Sequence, residues 1–281
     1  MKKQIGTFAA VCLVIGGMSF AGTTITSAQD QAAGAATPPP PVLVINREFL
    51  KPGMAGNPHE KTEGAFVQDM SQAHSQDHYL GMVALSGKSH ALFFHGYDSF
   101  ADWQKTIGAD MSNSTLSQSI DNDFQADGKV LTSMDVGVFV YRPDMSVHAP
   151  VDIPHMRYME ITEVKVRPGH DADWMKLSQL YNKIFGGGAN AHWAAYQLRY
   201  GASDGIYIFV RPMKSLADLD QDHKDSMQAM TAAGADQMKQ LDDLTASTIE
   251  SMGSNLFWFD PKMSYVGDKW KAADPGFWGQ K

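Results

Sequence analysis

Phe139-Val140-Tyr141-Arg142-Pro143-Asp144-Met145-Ser146 is echoed 118 residues later by Phe257-Trp258-Phe259-Asp260-Pro261-Lys262-Met263-Ser264. Working outward from this pair, three further blocks repeat at nearly the same distance. Leu50-Lys51-Pro52-Gly53 returns as Val166-Arg167-Pro168-Gly169 after 116 residues, His78-Tyr79-Leu80 as His192-Trp193-Ala194 after 114, and Ser99-Phe100-Ala101-Asp102 as Ser215-Leu216-Ala217-Asp218 after 116. Each match alone is weak. Four in one order, with offsets this close, indicate an internal repeat.

Each copy can be read by its period. Val42–Leu50 and Tyr158–Val166 are rich in β-branched and aliphatic residues and stop at Pro-Gly, as strands do. Trp174, Leu177, Tyr181 and Ile184 recur at helical steps, and Phe66, Met70 and Ala73 do the same in the first copy. Tyr79–Leu85 with Ala91–His95, and Trp193–Tyr200 with Ile206–Arg211, read as hairpins across glycine-containing turns. Ser99 and Ser215 then stand as helix N-caps, with Asp102 and Asp218 three residues on. The Phe139 and Phe257 blocks close the copies as final strands. The order β-α-β-β-α-β gives an antiparallel sheet with helices on one face. Its other face needs a cover, and the second copy supplies one. The expectation is an α+β fold in which two ferredoxin-like repeats, residues 42–148 and 158–266, pack their sheets face to face as one intramolecular barrel with pseudo-twofold symmetry.

The flanks read differently. Met1-Lys2-Lys3, an apolar stretch from Phe8 to Phe20 and the small residues up to Ala28 have the layout of a secretory signal, residues 1–28. Glycines and serines interrupt that stretch too early for a membrane span. The expected location is exported, periplasmic or extracellular. Residues 29–41 form a Pro/Ala-rich linker, read as an exposed spacer. Residues 149–157 connect the repeats, and 267–281 form a tail in which Trp270, Phe277 and Trp278 are expected to pack on the barrel wall. The one cysteine, Cys12, falls in the signal, so the exported chain would lack thiol chemistry and disulfides. A net charge of −8, from 23 Lys+Arg against 31 Asp+Glu, argues against nucleic-acid binding. No membrane association is expected after signal removal.

With these elements placed, the chain resembles the dimeric α/β-barrel superfamily over about residues 42–266. The strand-Lys/Arg-Pro-Gly-helix opening is similar to that of NIPSNAP-type and antibiotic-biosynthesis-monooxygenase-like families, as is Phe94-His95-Gly96-Tyr97-Asp98-Ser99-Phe100-Ala101-Asp102. The second copy departs there, with Arg211-Pro212-Met213-Lys214. The resemblance implies pockets between sheet and helices in each half. Its members include cofactor-independent monooxygenases, haem-bearing or haem-degrading enzymes and isomerases, and fold does not choose among them.

Candidate residues follow from type and position. His78 and His192 match at the entry to the second strand of each copy, and His95 ends the third strand. These three are the candidate proton-transfer groups; a polar strand entry or a solvated strand end is the plainer reading. His59 and Glu63 lie four apart on the inward stripe of the first helix, where they line a wet pocket, hold a metal with strand ligands, or form an exposed first-turn pair. Phe93 and His95, matched by Phe209 and Arg211, complete the ligand-binding candidates. Arg47 and Glu163, also matched, are read as exposed strand-edge residues rather than a pair across the barrel. Met145, His148, His155, Met156 and Met159 could offer soft copper ligands but suit core filling better. No metal is assigned and no cofactor is predicted; haem is the variant to test. The preferred reading is a monomer binding a small, partly apolar molecule. Alternatives are a monooxygenase- or isomerase-like enzyme using these histidines, and an interaction protein with filled pockets.

Overall fold

The computed structural model describes residues 36–188 and 190–280, so the signal at 1–28 and the start of the linker lie outside the described residues. In chain order the elements are β1 (Val42–Leu50), α1 (Asn57–Gln72), β2 (Tyr79–Ala84), β3 (His90–Tyr97), α2 (Phe100–Ser112), α3 (Ser114–Asp127) and β4 (Leu131–Tyr141). There follow β5 (Tyr158–Val166), α4 (Asp171–Phe185), β6 (Ala194–Tyr200), β7 (Ile206–Met213), α5 (Ala217–Thr248), β8 (Ile249–Phe259), and two short tail helices, α6 (Asp268–Ala273) and α7 (Pro275–Trp278). The strands form a closed antiparallel barrel in the order β1-β3-β2-β8-β5-β7-β6-β4.

Local chemistry accounts for the matching elements. Gly53 and Gly169 take φ of 81° and 83°, the left-handed turn that ends β1 and β5 and that a side chain resists. The Ser99 hydroxyl caps α2 by accepting from the Asp102 N–H at 3.0 Å, while the Asp218 carboxylate accepts from the Lys214 N–H at 3.0 Å before α5. The second helical segment breaks in both halves: Asn113 ends α2 and caps α3, and Gly234, at φ 76°, kinks α5.

The two sheets do more than face each other. They join edge to edge, with Met82 opposite Phe259 on β2 and β8 and Tyr141 opposite Tyr196 on β4 and β6. Alternation sends Leu43, Leu80, Phe94, Met159, Tyr196 and Val210 inward to one apolar core. The opposite strand faces lie under α1 and α3 in the first half and α4 and α5 in the second. Among the described residues no helix is long and apolar enough to cross a membrane.

Two expectations change. Residues 37–41 are not a free spacer: Thr37 pairs with Val151, and the prolines lie over β3 where a Cβ on Gly96 would come within 2.9 Å of Pro40. Arg47 and Glu163 approach to 3.4 Å, with Arg47 also 2.7 Å from Asp135, because barrel closure brings matched strand positions together. Of the Met/His group, Met145 joins the core of the second helix layer while Met156 and Met159 join the barrel core. The tail also enters the barrel core. Trp278 is 4% exposed, contacts Phe259 and Phe277, and donates from Nε1 to the Pro154 carbonyl at 2.8 Å.

Trp278→Ala is expected to destabilise the fold by about 3–5 kcal/mol, the usual range for a buried aromatic. A lowered urea midpoint is the measurement; an unchanged one would mean that the tail merely rests on the surface.

Candidate functional site

A cavity of about 1060 Å³ opens at the barrel end where the two halves of the barrel, the segment joining them and the C-terminal segment converge. Leu43, Leu80 and Phe94 line it from the first half, and Met159, Ala194, Tyr196 and Val210 from the second. Pro38–Pro41, Val151, Ile153 and Trp270 partly roof it. Its rim is polar, with His74, Gln76, His78, Asp98, His192, Lys269 and Lys271. Such a site can desolvate an apolar body while leaving a polar end at the mouth.

Two of the three candidate histidines reach this cavity, in different states. His192 has both ring nitrogens engaged, with Nδ1 2.8 Å from the Asn190 carbonyl and Nε2 2.7 Å from that of Pro212. It ties the strand entry down and is no free base. His78 stacks on Tyr265 at 5.0 Å and is exposed. Partial burial, with Lys271 close by, holds its imidazole below the ordinary value, so the ring is neutral at pH 7 and can accept a proton.

The third candidate, His95, faces the helix layer. Its Nδ1 lies 3.1 Å from Asp77 Oδ1, to which the Tyr97 hydroxyl also donates at 2.6 Å. Burial pushes the Asp77 carboxyl up, but the bonds from His95 and Tyr97 outweigh it and hold the group below its usual range.

None of the proposed ligand-binding residues His59, Glu63, Phe93, His95, Phe209 and Arg211 lines the cavity. The reason is the strand period. Odd-numbered positions of β3 and β7 point out toward the helices, and their even-numbered neighbours Phe94 and Val210 point in. Phe209 packs on Trp174, and Arg211 is held by Glu160 at 2.8 Å and Asp222 at 3.1 Å. His59 and Glu63 are not an exposed pair either, being 1% and 4% exposed under the first sheet. They meet Glu48 from β1 and Asp127 from α3, all four donor atoms lying within 4.8 Å of one another. His59 Nε2 is 2.9 Å from Glu48 Oε2. Burial raises Glu48 despite this bond, and burial together with Glu48 and Asp127 raises Glu63 well above the usual carboxylate range. Periodicity pointed to His59 and Glu63 but missed Glu48 and Asp127. One signal was available: the residue 116 positions after Glu48 is Val164.

In comparisons with known proteins, no family profile and no curated protein matches the chain. Solved structures do. A Fusobacterium nucleatum protein provisionally named a monooxygenase aligns with TM-score 0.51 and 12% identity, covering 79% of this chain and 93% of its own. A chlorite dismutase mutant from Candidatus Nitrospira defluvii aligns at 0.48 and 12%, covering 83% and 95%. A haem-binding protein from Thermus thermophilus aligns at 0.42 and 12%, covering 88% and 99%. At 12% identity the first of these likenesses bears on the fold alone, a closed antiparallel α+β barrel, and says nothing of the chemistry.

Asp77 gives a pH signature. An aspartate in the unfolded chain titrates near about 3.9. With the folded value lower, its contribution to stability is full above that pH and is lost as pH falls through the folded value. Asp77→Asn should therefore lower the melting temperature at pH 7, with the gap to wild type closing below about pH 3. A gap unchanged down to pH 2 would show that the carboxylate charge contributes nothing.

Proposed function

We propose that this chain is an exported, monomeric protein that holds one small, partly apolar molecule in the cavity at the barrel mouth. The cavity itself carries the reading: about 1060 Å³ with an apolar floor drawn from six strands and a polar rim. A merely structural barrel would fill this space. Export rests on the basic-apolar-small pattern of residues 1–28. The monomeric state rests on the strand order, since both sheet edges are paired within the chain. Origin by tandem duplication rests on the four repeated blocks, and NIPSNAP-type ancestry on the strand-Lys/Arg-Pro-Gly-helix opening and the segment Phe94–Asp102.

A haem in this cavity would have to draw its axial ligand from a rim imidazole such as His78, since His192 has both nitrogens engaged and the apolar floor presents no histidine. A second reading, a cofactor-independent proton-transfer enzyme, is favoured by one observation: neutral His78 stands beside Tyr265 at the cavity edge.

Native mass spectrometry of protein purified from its exported compartment is expected to show a retained small molecule. Ala194→Phe, which projects a ring into the cavity, should weaken its binding at least tenfold. Full retention in that variant, or an empty wild-type protein that also gives no tryptophan quenching with apolar probes, would overturn the binding reading. If wild type converts the molecule, His78→Asn should still bind it but convert it at least a hundredfold more slowly. Equal conversion would remove the enzyme reading.

A further inference from the structure

We propose that Glu48, His59, Glu63 and Asp127 form a binding site for one first-row divalent cation of the manganese, iron or zinc kind, stapling β1 to α1 and α3. This inference is independent of the cavity reading. The four groups come from three elements yet converge, with His59 Nε2 at 2.9 Å from Glu48, 3.8 Å from Glu63 and 3.9 Å from Asp127. Tetrahedral donors at about 2.1 Å from an ion stand about 3.4 Å apart, in the middle of that spread.

Three further observations separate the cluster from an ordinary buried network. First, its charge has little compensation: three carboxylates surround one imidazole, and among the described residues no lysine or arginine pairs with Glu48, Glu63 or Asp127. Second, polar atoms are left over. Glu63 Oε1 and the Tyr79 hydroxyl are buried without a hydrogen-bond partner. Third, the fold does not require the charges. β1 and β5 keep the same register, with Glu48 opposite Ala91 and Met134 and Val164 opposite Tyr207 and Met252. In the second half the corresponding layer is filled by Val164, Trp174, Leu177 and Leu241.

The surroundings suit a ligand shell. The Thr62 hydroxyl, 2.7 Å from Asp127 Oδ1, orients that carboxylate, and the Phe93 ring stands edge-on to His59 at 6.3 Å. The donor set selects the ion. Magnesium keeps several waters and calcium takes six to eight oxygens, for which a layer this buried has little room. One imidazole with carboxylates fits manganese, iron or zinc. On binding, the ion replaces the proton shared between His59 Nε2 and Glu48 Oε2, together with any proton carried by Glu63, and these leave to solvent.

The test uses full-length protein stripped with chelator, then loaded with Mn²⁺ or Zn²⁺ during refolding and dialysed. Elemental analysis should find one ion per chain, with a melting temperature raised by several degrees. Glu63→Gln keeps the shape of a buried side chain whose Oε1 has no hydrogen-bond partner, so it is expected to fold while losing at least tenfold in affinity; Glu48→Gln should do the same. Co²⁺ loading of the wild type supplies a readout independent of the variants: visible ligand-field bands that Zn²⁺ abolishes. Fewer than 0.2 ions per chain, bands that Zn²⁺ leaves in place, or unchanged affinity in both variants would overturn the site. Such a result leaves the cavity reading standing.

Discussion

Closure of the sheet within one chain is the constraint on which the rest of this structure depends. A single four-stranded repeat would leave an apolar face and two strand edges exposed, and each calls for a partner. Here the β2–β8 and β4–β6 pairings close both edges at once, and the enclosed face becomes the main core. Closure also divides the molecule into two kinds of space. Inside the barrel, residues of both halves meet. Under the helices, each half has its own layer. A side chain's strand parity decides which space it enters, so neighbours such as Phe93 and Phe94 belong to different environments.

The two layers under the helices differ in chemistry. The second is conventional, with Trp174 against Tyr207 at 5.1 Å and aliphatic residues around them. The first carries a histidine and three carboxylates within a few ångströms, beside the apolar Phe93 and Met70. Buried charge of this kind is costly unless matched, while the same architecture is satisfied by hydrocarbon on the other side. The two kinds of space therefore differ: the shared interior offers volume, and the first layer gathers ionisable side chains.

The open end of the barrel shows how segments outside the repeats shape the site. The connection at 149–157, Pro38–Pro41 and the aromatic tail all gather there. Arg157 anchors the tail, pairing with Asp274 and lying over the Phe277 ring at 4.0 Å. These additions narrow the mouth while leaving the interior accessible.

The Pro-Gly stops and the Ser99 cap made the element order legible, because each depends on neighbours within a few residues; Ser215 does not cap its helix, which begins after Leu216 without a side-chain cap. The helical period of Phe66 and Met70 also identified the inward stripe of the first helix, which is why His59 and Glu63 could be singled out. Their company could not be read that way. Glu48 and Asp127 are 11 and 68 positions from His59, and only the packing of α3 and α1 over β1 brings them together. Likewise, nothing local distinguishes His78 from its counterpart His192: one imidazole remains available and the other is spent on two carbonyls. Local rules act through the chain and survive in the sequence. Which side chains meet across a closed barrel depends on contacts between distant segments, and that was decided by tertiary structure alone.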